Sequence, residues 1–181
     1  VFYARRPEME TAEEKLAFEQ FIDWAYARWT RDPTMHIYHY AAYERTALKE
    51  LMGRHATREA EVDALLRGEV LVDLYTITRQ AVVIGTPSYS LKDTEKLMAP
   101  PRASGVATAG DSTVAYDNWI NLGEPRDWTS SPILKEIREY NREDCENTRL
   151  LHGWVLERQK ERGIAWVAEP GETADPAEAK K

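Results

Sequence analysis

From Ser131-Pro132 to about Glu161 the sequence carries one uninterrupted helical pattern. A helix that long extends roughly 45 Å at 1.5 Å per residue, so the rest of a domain this size must pack along it. Serine is a favourable N-cap, and proline suits the first turn, where its missing N–H would have gone unpaired. Gly163 marks the stop. At about 100° per residue, Ile133, Ile137, Tyr140, Asp144, Thr148, Leu151 and Val155 share one stripe, and Arg138, Glu139, Arg142 and Glu146 lie opposite. Asp144 is therefore expected amid the packed face, where a carboxylate loses hydration and needs a cation or a donor. Tyr140 stands one turn earlier, within reach of the same volume.

Upstream, strand-like and helix-like segments alternate, which predicts an α/β fold. Val1–Ala4, Met35–Tyr40 and Val70–Leu74 read as strands. Glu13–Trp29, Tyr43–Met52, Arg58–Arg67, the stretch that follows the Val70–Leu74 strand to about Val83, Ser90–Ala99 and Ser112–Asn121 read as helices. Residues 1–167 are expected to form one domain. Residues 168–181, polar and bearing Pro and Gly, are expected to be a flexible tail or linker.

Two further acids interrupt apolar patterns. Glu44 begins the stripe that continues through Ala47, Leu48 and Leu51, although an acid in a first helical turn also complements the macrodipole. Asp73 ends the run Val70-Leu71-Val72, where it could cap the next helix or support a neighbouring site. Carboxylates at the ends of different elements suit hard divalent cations, which clamp the attacking and leaving oxygens of a phosphodiester. Tyr140 would then orient a water or the phosphate. Arg45, Lys49, Arg54, Arg58, Lys92 and Lys96 are candidate phosphate contacts.

The net charge of −7 speaks against gripping nucleic acid through overall charge but is compatible with acids that hold cations. The single cysteine, Cys145, excludes an internal disulfide framework and a thiolate zinc site. With no export signal and no membrane-length apolar run, the expected location is the cytoplasm.

The segment Tyr140-Asn141-Arg142-Glu143-Asp144-Cys145 resembles the Tyr-x-x-x-Asp motif of the tyrosine branch of the DEDD exonucleases. His39-Tyr40-Ala41-Ala42-Tyr43-Glu44 resembles their second motif, with His39 in place of Asn and Glu44 in place of Asp. Together with Val72-Asp73-Leu74-Tyr75 and Ser88-Tyr89-Ser90-Leu91-Lys92, the ordered set is similar to the RNase-H-like domain of bacterial RecB-like nucleases. The resemblance covers roughly residues 13 to 160.

It implies a mixed sheet flanked by helices, lacking its first two strands and with them the Asp-x-Glu motif. It also implies a Mg²⁺- or Mn²⁺-dependent 3′–5′ exonuclease acting on single-stranded DNA or RNA ends, within a longer chain bearing nuclease or helicase domains. Glu44 and Asp144 would be metal ligands and, with Tyr140, the catalytic set; Asp73 and His39 would support them, and Arg45, Lys49 and Lys92 would meet the nucleic acid. The rival expectation is a degenerate RNase-H-like module that binds nucleic acid or a neighbouring domain without cutting.

Overall fold

The computed structural model describes residues 9–98, 109–122 and 127–165. The strand expected at Val1–Ala4 and the tail expected at 168–181 lie outside them.

Helix α1, Met9–Arg31, buries Phe18, Ile22 and Ala25 and ends where Asp32 turns the chain, its Oδ1 accepting from the Thr34 amide at 3.1 Å and hydroxyl at 2.6 Å. Strand β1, Ile37–His39, is followed by α2, Tyr43–His55, and α3, Glu59–Arg67. Strand β2, Leu71–Asp73, then pairs parallel to β1 with Ile37 opposite Leu71 and His39 opposite Asp73. Parallel neighbours need a long crossover, and α2 with α3 supplies it. Helix α4, Leu74–Ala81, follows β2 directly, then α5, Leu91–Thr94, a 3-10 turn over Glu95–Leu97, α6, Ala109–Leu122, and α7, Pro132–Glu161.

The main core lies between α1, α2, α3 and the sheet, with Phe18, Ile22, Ala25, Leu51, Val62, Leu65 and Val70 buried together. Helix α7 packs against β1, α4, α5 and α6. Among the described residues the fold is a mostly helical α/β arrangement with a two-stranded parallel sheet. No helix among them is long and apolar enough to cross a membrane.

Three expectations change. β1 is shorter than Met35–Tyr40, because Met35 packs into the core and Ala41 turns to φ 64°. The helix expected over Ser90–Ala99 is a single α turn followed by the 3-10 turn, with Ser90 Oγ accepting from the Asp93 amide at 3.2 Å. The buried stripe of α7 is Tyr140, Glu143, Asn147 and Leu151, and Asp144 sits at its border. The rotation follows from a polar contact: Asn147 Nδ2 donates to Glu95 Oε2 at 2.7 Å, which makes amide burial at that position tolerable.

Between α2 and α3, Ala56 and Arg58 take positive φ of 45° and 58° without glycine. The turn is held by Thr57 donating to Glu19 at 2.7 Å and by a two-pronged Arg58–Asp23 pair at 2.6 and 2.9 Å. Arg54 is likewise engaged, donating to the buried Glu14 at 2.9 Å, while His55 contacts the same carboxylate at 2.8 Å. Both arginines thus have carboxylate partners within the fold.

Where α3 ends, a Cβ on Gly68 would lie 2.7 Å from the Trp29 ring. Gly68→Val is therefore expected to destabilise the domain by about 1–3 kcal/mol through overpacking. Urea denaturation checks this, and a midpoint equal to the parent's would refute it.

A carboxylate cluster at the ends of the parallel strands

The site is built from the last residue of each strand. Asp73 closes β2 and caps α4, its Oδ1 accepting from Tyr75 N at 2.9 Å and its Oδ2 from Thr76 Oγ1 at 2.8 Å. The same Oδ1 accepts from Ala41 N at 2.9 Å, tying the β2 terminus to the turn after β1. Burial raises the Asp73 carboxyl, but the donors Thr76, Ala41 and Tyr75 outweigh it and hold it below the usual aspartate value. Of the two expected roles, the cap is the one the geometry displays.

His39 closes β1 and is buried. Its Nδ1 lies 2.7 Å from the Ala41 carbonyl, an acceptor, so Nδ1 carries the proton. Both backbone polar groups of Ala41 are thus clamped, the amide by Asp73 and the carbonyl by His39. That clamp pays for a left-handed alanine, the kind of local strain that collects at functional sites. The turn delivers Glu44 to the first turn of α2, with Oε2 3.7 Å from His39 Nδ1.

Glu44 was expected to face inward, yet its side chain is 50% exposed, because it precedes the part of α2 that meets the core at Leu51. Its carboxyl is nonetheless raised above the ordinary 4.5: nearby protein strips hydration first, and the charges of Asp73 and Asp144 add repulsion against the lowering by its own amide and His39. Cys145 gives a second sign of the same crowding. Burial, then Asp144 and Glu44, push its thiol upward. Glu44, Asp73 and Asp144 therefore share one electrostatic neighbourhood, drawn from α2, β2 and α7.

Asp144 is half-buried with Oδ1 sealed from solvent, and Tyr140 is 4% exposed one turn earlier on α7. The other expected residues lie elsewhere. Arg45 and Lys49 line an open groove with Met52 of α2 and Glu59, Asp63 and Leu66 of α3. Lys92 lies on α5, partly buried. Lys96 is paired with Asp93 at 2.7 Å. The sequence reading missed the Ala41 clamp and the Glu14–His55 contact.

Glu44 and Asp144 offer the hard oxygen donors that Mg²⁺ or Mn²⁺ prefers, and mutual repulsion is what a cation would relieve. Asp73 is already spent on three donors. Among the described residues no group of three His, Cys, Asp or Glu is spaced to hold a metal ion, so two carboxylates alone leave the ligand set incomplete.

Because the folded state raises the Glu44 carboxyl, its contribution to stability is full below 4.5 and falls as pH climbs through the raised value. Glu44→Gln is therefore expected to match or exceed the parent's Tm at neutral pH, with the gap closing in acid. Thermal melts at several pH values check this, and a neutral-pH Tm below the parent's would contradict it.

A parallel α/β domain with acids gathered at the carboxyl ends of its strands has the layout in which such sheets place their sites. A family model described as RNase_H superfamily matches residues 2–156, and the chain belongs to that superfamily. No curated protein and no solved structure gives a significant match.

Proposed function

We propose that this domain is the cutting module of a larger RecB-like nuclease, a divalent-metal-dependent 3′–5′ exonuclease acting on single-stranded DNA or RNA ends. The observation that supports the reading is that Asp144 of α7 lies near enough to Glu44 of α2 for its charge to raise the Glu44 carboxyl, beside the Asp73–Ala41–His39 clamp. Superfamily membership supports hydrolytic, nucleic-acid-directed chemistry.

In this reading Glu44 and Asp144 supply two ligands for Mg²⁺ or Mn²⁺, and carboxylates from outside the described residues complete the set. A bound divalent ion would neutralise phosphate charge and sharpen the nucleophilicity of water. The chain's own residues do the positioning. His39 and Asp73 fix the turn that presents Glu44, and Tyr140 stiffens α7 beside Asp144 and orients the phosphate or the attacking water. Arg45 and Lys49 hold the strand along α2, and Lys92 meets it from α5.

The second reading is a non-catalytic RNase-H-like module that docks nucleic acid or a neighbouring domain. What favours it is the incomplete ligand set among the described residues. The two separate in one assay. The longest natural chain containing this domain is mixed with end-labelled single strands in Mg²⁺, in Mn²⁺ and in chelator. Stepwise, metal-dependent shortening from the 3′ end is expected. Absence of cleavage with either ion, with strand binding retained, would establish the module instead.

A further inference from the structure

We propose that the ring stack of Tyr38 on His152 is a nucleobase platform for the strand whose end lies at the carboxylates; this rests on the nuclease reading above. Tyr38 stands mid-strand in β1, and alternation turns it from the core side, taken by Ile37, toward α7. There it stacks on His152 with ring centroids 4.0 Å apart and planes 29° apart, and His36 flanks it at 6.2 Å. Tyr38 is nonetheless 39% exposed. A flat aromatic surface half in water, held between a strand and a long helix, can accept a base without first losing rotamer freedom.

Position supports the same occupant. Asp144 and His152 lie on one helix, eight residues apart, which is roughly 12 Å of rise. A strand ending at Asp144 and advancing at least ~3.4 Å per nucleotide reaches the stack within about four nucleotides. Burial lowers the His152 imidazole, so at neutral pH it is an uncharged ring. Every base presents a π-face, so the platform is expected to be indifferent to sequence.

The test uses a short mixed-sequence DNA single strand with 2-aminopurine near the fourth position from its 3′ end, titrated in chelator so that cutting is silent. The parent is expected to bind it and quench the probe. Tyr38→Ala should weaken binding about tenfold and abolish the quench, Tyr38→Phe should do neither, and His152→Ala should reduce the quench. Circular dichroism checks that each variant is folded. If Tyr38→Ala binds and quenches like the parent, or Tyr38→Phe fails as badly as the alanine, the platform falls while metal-dependent cleavage by the parent leaves the nuclease standing. A parent that neither binds nor cuts removes both.

Discussion

Asp144→Asn should reduce cleavage by a factor of about 10³ while leaving the domain at least as stable as the parent. The first half follows from the role proposed for the carboxylate, since removing a group that stabilises charge at the reacting centre typically costs 10²–10³ in rate, and more when it is also a metal ligand. The second half follows from where Asp144 sits. One oxygen is sealed from water, and its charge raises both Glu44 and the Cys145 thiol. A neutral amide of the same shape relieves that repulsion.

The variant also has a readout that does not depend on activity. With the Asp144 charge gone, the Glu44 carboxyl should titrate closer to its ordinary 4.5, observable by NMR on the intact domain. A variant that cuts at the parental rate would remove Asp144 from the chemistry. One in which Glu44 titrates unchanged would show that the two acids do not share a site.

The placement of α7 was legible because its start is written in local chemistry. Ser131 caps the Leu134 amide at 3.2 Å, with Pro132 in the first turn. The face it buries was not legible, since Asn147 becomes an inward residue only through Glu95, 52 positions away. Spacing alone favoured the apolar stripe and set Asp144 at its centre instead of its border.

Asp73 could be read as a cap because a carboxylate after a buried strand has few other local uses. Its third donor, the Ala41 amide, could not be read, because nothing in an alanine announces a positive φ. Glu14 was within reach of sequence reasoning. It stands one turn before Phe18 on the stripe that continues to Ile22 and Ala25, the same anomaly that singled out Asp144, and the structure satisfies it with Arg54 and His55. A carboxylate on an apolar stripe therefore marks a demand for a partner. Only the identity of that partner separates a structural acid from a site acid.

Asp73 tests that distinction from the other side. Asp73→Ala should cost about 2–4 kcal/mol of stability. It removes a helix cap, typically worth 0.5–2 kcal/mol, and strands the Ala41 amide in a strained turn, a penalty of about 1–3 kcal/mol. The folded carboxyl lies below the ordinary 3.8, so its stabilisation is complete above that value and drains away as pH falls through the folded one. The parent should accordingly lose stability in acid, and Asp73→Asn, whose amide oxygen can still accept from the two backbone donors, should lose less than the alanine variant and shed part of that acid sensitivity. Urea midpoints across the acid range measure all three.

Cleavage should fall in Asp73→Ala because the turn that presents Glu44 loosens, and strengthening the fold with a stabilising osmolyte should restore part of it. No such restoration is expected for Asp144→Asn, whose defect is the missing charge itself. If Asp73→Ala instead proves as stable as the parent yet inactive beyond recovery, the carboxylate belongs among the ligands and the capping role is secondary.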